Sequence, residues 1–468
     1  MHETEGPSQH YDVIVIGAGQ SGGPLSSAFQ NAGKKTVLVE STHIGGVCVN
    51  EGCTPTKTMI ASGRVAYLAR RGADFGVETG PVSIDMKKIR ERKRKIVDEF
   101  RSGSESAVHD TKGLDYLNGH AAFSGPHDVT VTLHDGSTRK ISAPTIVINV
   151  GEHPAGLPIE GADAVTVLNS TTVMELDVVP EHLLILGGGY IALEFGQLFR
   201  RLGAAVTIVE RGHQLMERED ADVASAVKDI VEQDGVTVLL ETTGARLAPD
   251  GDGVAFTVKG PDGEKTLRGS HLLAAAGRAP NTKTLGLESA GVKTNEHGYI
   301  AVDDKLRTNV EGVYAVGDVK GGPAFTHISF DDYRILKTNL IEGGDASIAG
   351  RLVPYTMFID PQLGRVGISE SEARKAGRTF RVAKMPMSRV ARAEETDETR
   401  GFMKIIVDGE SDQILGAAVL GIEGGEIMSM IEIAMMGKLP YTALRDGVFA
   451  HPLLSEALNN VFSSLADG

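Results

Sequence analysis

Cys48 and Cys53 are the only cysteines in the sequence, and four residues separate them in the segment 45–57, GGVCVNEGCTPTK. Two thiols kept this close in a chain of 468 residues suit redox chemistry better than the bracing of a fold. An ideal helix sets positions i and i+5 roughly 8–9 Å apart at Cα and on different faces. A disulfide needs a Cα separation of about 5.5 Å. A Cys48–Cys53 bridge therefore requires the backbone to leave regular helix, and Asn50 and Gly52 tolerate that departure. A bridge formed under such constraint is easier to reduce, which suits turnover. On spacing alone, two unpaired cytosolic thiols remain the alternative. Zinc is poorly matched, because a structural site wants four ligands and only His43 stands nearby.

Two glycine turns are the elements that must bring an electron donor to these thiols. Residues 11–16 read as a buried strand, followed at once by Gly17, Gly19 and Gly22 in GAGQSG and by a helical stretch to Ala32. A second strand over 36–39 ends in Glu40. The glycines permit a tight turn and close backbone approach, and the helix N-terminus receives a pyrophosphate. The acid at the next strand end takes ribose hydroxyls. The unit then recurs: a strand over 183–186, Gly187 and Gly189 in GGGYIA, a helix to Leu202, and a strand over 205–209 followed by Glu210. Two such units imply two cofactors, or one cofactor and a degenerate copy. The thiols follow the first unit, so the first cofactor should exchange electrons with sulfur. Flavin does so readily, and nicotinamide delivers hydride to flavin.

Composition narrows the class. A formal net charge of -15 argues against a nucleic-acid partner. The opening MHETEGPSQHYD is polar and the apolar run 13–16 is short, so a signal peptide of ordinary form is not expected. No apolar stretch is long enough to span a bilayer. Adjacent thiols without a secretory signal lead us to expect a cytoplasmic protein.

Further motifs follow in a fixed order: AGRAPN at 276–281, YAVGD at 314–318 and HPLLSE at 451–456. With the two glycine turns and CVNEGC, they make nearly the whole chain resemble the pyridine nucleotide–disulfide oxidoreductases, the family of glutathione reductase, lipoamide dehydrogenase and mercuric reductase. The resemblance implies an α/β fold with two Rossmann-like domains, for FAD and for NADH or NADPH, plus an α+β C-terminal dimerisation domain. The FAD domain is expected at 1–155 and 282–350, the NAD(P) domain at 156–281, and the homodimer interface domain at 351–468 with strands near 401–407 and 414–420. Gly17, Gly19, Gly22, Glu40, Gly46, Lys57, Gly151 and Asp318 are implied FAD contacts, with Asp318 on the ribityl chain. Gly187, Gly189, Glu210, Arg211 and Gly277 are implied NAD(P) contacts.

The same resemblance assigns the chemistry. Cys53 is similar to the flavin-proximal thiol that makes a charge-transfer contact as thiolate, and Cys48 to the interchange thiol that meets substrate. Cys53 stands where a helix resumes and Lys57 lies one turn on, so helix N-terminus and cation both favour the thiolate. Lys57 and Glu194 resemble the pair beside the flavin ring, and Tyr190 the lid over the nicotinamide pocket. His451 resembles the acid–base that one subunit contributes to the thiols of the other, with Glu456 orienting it. An imidazole can take a proton from Cys48 and return it.

Departures from the family pattern bear on the acceptor. Mercuric reductases carry a second, C-terminal cysteine pair that this sequence lacks. The stretch 321–334, GGPAFTHISFDDYR, and Leu439-Pro440-Tyr441 look more like the reactive-chlorine-resistance branch, reported as Cu(II) reductases. The expected acceptor is thus a metal ion, Cu(II) or Hg(II), held transiently by Cys48 and Cys53. The alternatives are low-molecular-weight disulfide reduction of the glutathione or lipoamide type, and a thiol-based sensor or metal-sequestering flavoprotein. Met385, Met387, Met428, Met430, Met435 and Met436 could offer thioethers to Cu(I), but read better as interface gap-fillers. The basic run 87–95 reads as a solvated helix face, and 248–265 as hairpin turns.

Overall fold

The computed structural model describes residues 8–465; residues 1–7, on which the signal-peptide reading partly rests, lie outside them. The chain divides into two compact units. The first gathers the residues up to Thr58 with Arg90–Ala155 and Gly277–Arg351. The second gathers Met59–Ile89, Gly156–Ala276 and the residues from Leu352 onward.

In the first unit, Val13–Ile16 pairs in parallel with Thr36–Glu40 on one side and Thr145–Ile148 on the other. Every residue of Val13–Ile16 and Thr36–Glu40 is buried, as expected of strands covered on both faces. Asp115–Phe123 and Val313–Ala315 extend the parallel part, an antiparallel meander runs on through Asp128–Leu133 and Thr138–Ser142, and Gln9–His10, parallel to Thr138–Ser142, completes an eight-stranded sheet. The helix Gly22–Asn31 follows the first glycine turn, burying Leu25 and Phe29.

The second unit repeats the theme. Thr237–Leu239, Ala205–Val209, His182–Leu186, His271–Ala274 and Val167–Leu168 form a parallel five-stranded sheet in that order. The region 248–265 lies in a three-stranded antiparallel meander, Thr243–Asp250, Gly253–Gly260 and Gly263–Gly269, with tight turns where the glycine-rich segments fall. The C-terminal part is a five-stranded antiparallel sheet built from Tyr355–Met357, Gln362–Gly367, Ile414–Gly421, Phe402–Asp408 and Phe380–Pro386, covered by the helix Gly424–Met436. Met385, Met387 and Met428 are buried in its core, as gap-fillers are, and Met430 and Met435 pack against it, whereas Met436 is largely exposed.

The basic run 87–95 is exposed at Lys87, Lys88, Arg92, Arg94 and Lys95, as a solvated face would be, and needs a correction at Lys93. It lies on the helix Met86–His109, where Lys93 is 4% exposed rather than solvated. Lys93 shares the inward stripe of Met86 and Val97, so helical periodicity carries its stem into the core.

One buried acid in the second unit gives a pH expectation. Glu219 accepts a hydrogen bond from the Tyr355 hydroxyl and faces Arg365 at 3.5 Å. Burial pushes its carboxyl up to about 7, helped by Asp220 and Glu372 and opposed by Arg365 and Lys404. The folded state therefore holds this proton more tightly than the unfolded chain. Its stabilising effect is complete below about pH 4.5 and is lost as pH rises through about 7. Glu219→Gln should gain about 3 kcal/mol on the parent between about pH 5 and pH 8. Denaturant midpoints at the two pH values test this; a parent–variant difference that does not change with pH refutes it.

Candidate active site

Gly17 opens the first turn at φ +100°, and a Cβ there would stand 2.3 Å from the Asn149 carbonyl oxygen. A Cβ on Gly22 would stand 1.9 Å from the Gly17 oxygen, and one on Gly19 3.1 Å from Asn149 Oδ1. Only glycine lets the turn fold this tightly. Asn149 Oδ1 accepts a hydrogen bond from the Gly22 N–H at 2.9 Å. Glu40 is buried at the end of its strand and accepts from the Ala18 N–H at 2.7 Å and the Thr42 N–H at 2.8 Å. Gly46, at φ +63°, packs against the same turn: its Cβ would lie 2.7 Å from Gly19 Cα. The helix that carries Cys48 thus starts directly on the first glycine turn.

That helix is short, Gly46–Asn50, and a second helix, Cys53–Arg70, begins after a break at 51–52. The departure from regular helix that a bridge requires is therefore present. The Asn50 side-chain amide donates to the carbonyls of Ile44 at 3.1 Å and Gly46 at 2.9 Å, holding the bend. Cys48 is half-buried and Cys53 exposed. The hydrogen bond between the two thiols pushes the Cys48 thiol up, and burial and the charge of Cys53 add to it; the Thr326 hydroxyl and Lys57 pull the other way. The negative charge of the dithiol thus belongs on Cys53, the direction expected from the helix start and Lys57.

Asp318 follows Val313–Ala315 on a turn that Gly317 enters at φ +70°. Burial first, then the charge of Glu152, pushes its carboxyl up to about 6, with Arg278 and Lys320 opposing. Arg278 pairs with Glu152, and the Tyr299 hydroxyl donates to Glu152 at 3.2 Å. The turn is pinned by Asp332, which is fully buried, accepts from the Gly317 N–H at 2.9 Å, and pairs with Lys320 at 3.1 Å and Arg351 at 2.7 Å. Gly151, at φ +65°, precedes Glu152, and its carbonyl accepts from the Asn281 N–H at 3.0 Å. Gly277, at φ +136°, accepts from the Ala155 N–H at 3.1 Å.

Asn149, Glu152 and Asp332 were not legible as site residues from the motifs. For Asp332 a signal exists: an acid on the inward stripe of Ile328, Ile335 and Leu336 must find a buried cation.

In the second unit, Gly187 at φ +115° would bring a Cβ to 2.4 Å from the Ala275 oxygen, so the second turn is as tight as the first. Gly189 caps the helix Tyr190–Leu202. Glu210 accepts from the Gly212 N–H at 2.6 Å, while Arg211 and Arg218 are exposed. Tyr190 is partly exposed, and Glu194 is buried and accepts from the Phe358 N–H at 2.9 Å. His451 Nδ1 lies 2.8 and 3.1 Å from the two carboxylate oxygens of Glu456, an orienting contact of the kind expected.

Residues 11–332 match the family described as pyridine nucleotide-disulphide oxidoreductase, and residues 353–462 match its dimerisation domain. This chain belongs to that oxidoreductase family. It is 35% identical over 457 residues to the probable pyridine nucleotide-disulfide oxidoreductase RclA of Escherichia coli K12, covering 97% of this chain and 99% of that one. A mercuric reductase of Streptomyces lividans is 33% identical over 449 residues, with 96% and 94% covered. A dihydrolipoyl dehydrogenase of Haloferax volcanii is 32% identical over 452 residues, again with 96% and 94% covered. The solved Cu(II) complex of the HOCl-induced flavoprotein disulfide reductase RclA from Escherichia coli superposes with a TM-score of 0.89 at 34% identity, covering 98% of this chain and all of that one.

Family membership makes the chain a flavoprotein oxidoreductase with a glutathione reductase-like fold, FAD and NAD(P)H as cofactors, and a dimerisation domain that supports a homodimer. The residues present fit FAD. Gly17, Gly19 and Gly22 leave the backbone-lined cradle a pyrophosphate needs, Glu40 sits at the strand end, and the Asp318 turn is locked in place. Among the described residues no group of three or more His, Cys, Asp or Glu could hold a metal ion, and no helix is long and apolar enough to cross a membrane.

Proposed function

We propose that this chain is an NAD(P)H-dependent reductase whose Cys48–Cys53 disulfide, once opened, passes electrons to a metal ion, with Cu(II) the acceptor that suits it best. FAD, when bound, accepts hydride from nicotinamide and relays the electron pair to sulfur. The carrying observation is the thiol pair itself. It straddles a helix break against the first glycine turn, with the proton favoured on Cys48 and the charge on Cys53. Gly17, Gly19, Gly22, Glu40, Gly46, Lys57, Gly151 and Asp318 hold the first cofactor in this reading, and Gly187, Gly189, Glu210, Arg211 and Gly277 the second. Tyr190 lids the nicotinamide, and Glu194 and Lys57 serve the flavin ring. His451, oriented by Glu456, exchanges the proton of Cys48 across the dimer.

The choice of acceptor rests on counting thiols. Hg(II) binds two thiolates tightly, so release from a single pair is slow unless further thiols exchange it. The sequence contains two cysteines in all. Cu(II) needs one electron and leaves as Cu(I), so it requires no relay. The Escherichia coli relative is described in complex with Cu(II), which supports the same reading. Steady-state NAD(P)H oxidation with Cu(II), thiol-complexed Hg(II), glutathione disulfide and lipoamide decides it. Cu(II) should exceed Hg(II), and both should be lost in Cys48→Ser. Rapid multiple turnover of Hg(II) in excess thiol would overturn the copper assignment. Turnover with lipoamide alone would favour the dihydrolipoyl dehydrogenase side of the family, and no turnover with any acceptor would favour a sensor.

On the nicotinamide, NADH is the expected donor. Glu210 stands where an acid binds ribose hydroxyls and repels a 2′-phosphate. Arg211 and Arg218 could instead clamp that phosphate, so a kcat/KM higher with NADPH would show that the arginines win.

A further inference from the structure

Thr326 is the first residue of the helix Thr326–Leu340, and its hydroxyl reaches both thiols. Its Oγ1 lies 3.4 Å from Cys53 Sγ, and it also hydrogen-bonds Cys48. No part of the cofactor reading uses it. The contact is held rigidly from below. One turn on, Ser329 packs its hydroxyl 2.7 Å from that of Ser21 beside the first glycine turn. Asp332, one further turn along, is fully buried and ties the same helix to the Asp318 turn. The helix therefore cannot slide without moving both the glycine turn and the Asp318 turn.

We propose that the Thr326 hydroxyl is a catalytic group of the dithiol, the hydrogen-bond donor that receives the developing negative charge on Cys53 as the S–S bond opens. The proposal rests on the redox-disulfide reading above. Opening the Cys48–Cys53 bond consumes two electrons and one proton. The S–S bond breaks, the proton ends on Cys48, and Cys53 departs as thiolate; the electron pair comes from NAD(P)H by way of the family's flavin. A hydroxyl fixed beside the departing sulfur acts as an oxyanion-hole donor does, since it is in place before the charge forms. It has one hydrogen to give. Both sulfurs lie within its reach, and with Cys48 donating to Cys53 the sulfur that carries the charge is the better acceptor for that hydrogen. The N-terminal end of the same helix, which has no acidic residue in its first turn, adds a favourable field. Lys57 and Asp318 are charged groups that act on the pair, and both stay unchanged in the variants.

Thr326→Val removes the hydroxyl at nearly constant shape, and Thr326→Ser keeps the hydroxyl and removes the methyl. The first readout is the equilibrium of the disulfide with a dithiol buffer, followed by trapping the free thiols and weighing the protein. A donor to a charged acceptor is worth at least an order of magnitude in such an equilibrium. The valine variant should be about tenfold harder to reduce, a shift of about 30 mV, with serine close to the parent. The second readout is the long-wavelength flavin–thiolate absorbance per flavin after two-electron reduction, which should fall in valine and return in serine. Valine matching the parent in both readouts overturns the proposal. So does serine failing as badly as valine, because the hydroxyl is then not the agent. Thr326→Ala, smaller than the native side chain, repeats the test should valine disturb the helix start. A parent protein whose thiols form no reversible two-electron couple would sink the redox-disulfide reading itself, whatever Thr326 does.

Discussion

Cys53→Ser should abolish both the long-wavelength flavin–thiolate band and turnover, while Cys48→Ser should show that band without any reductant. The expectation follows from the asymmetry of the pair. Cys48 donates to Cys53 and is held protonated, so the charge collects on Cys53. With Cys48 replaced, no disulfide can form and Cys53 remains a free thiolate favoured by Lys57 one helical turn away and by the helix start at which it stands. With Cys53 replaced, nothing remains to carry the charge beside the flavin. Turnover should fall to background in either variant, because one thiol cannot store an electron pair as a disulfide. Anaerobic absorbance spectra of the two purified variants read the result directly. A band in both variants, or in neither, would reverse or remove the assignment of roles.

His451→Ala should reduce acceptor turnover by about 10²–10⁴-fold, the usual loss on deleting a general acid–base, and leave the flavin–thiolate band in place. His451 and Glu456 are five residues apart, and the imidazole meets both carboxylate oxygens, so orientation of the ring is built locally. Glu456→Gln keeps one oxygen acceptor and should cost less than the histidine deletion. Stopped-flow separation of the two half-reactions checks the claim: reduction by NAD(P)H should be nearly unchanged, and the step that delivers electrons from Cys48 should slow. Equal slowing of both halves would place His451 in a structural role.

Much of this protein is legible in its residues because the signals are local. A φ near +100° at Gly17 and +115° at Gly187 is a demand on one residue, and a strand, a glycine turn and a helix follow from a few adjacent positions. The thiol pair, Glu210 and the His451–Glu456 contact stand on the same footing, since each depends on neighbours a few positions away. The fold class and the cofactor pair were therefore legible in the sequence alone. Tertiary structure decided what lies far off in the chain: Thr326 meets Cys53 across 273 positions, and Asn149 closes the first turn 127 positions after Gly22. It also decided burial. Lys93 left the solvated face assigned to its helix, and Asp332 became the pin of the Asp318 turn. An isolated charge says nothing of its depth, and only packing determines which charges must find a partner because water cannot reach them.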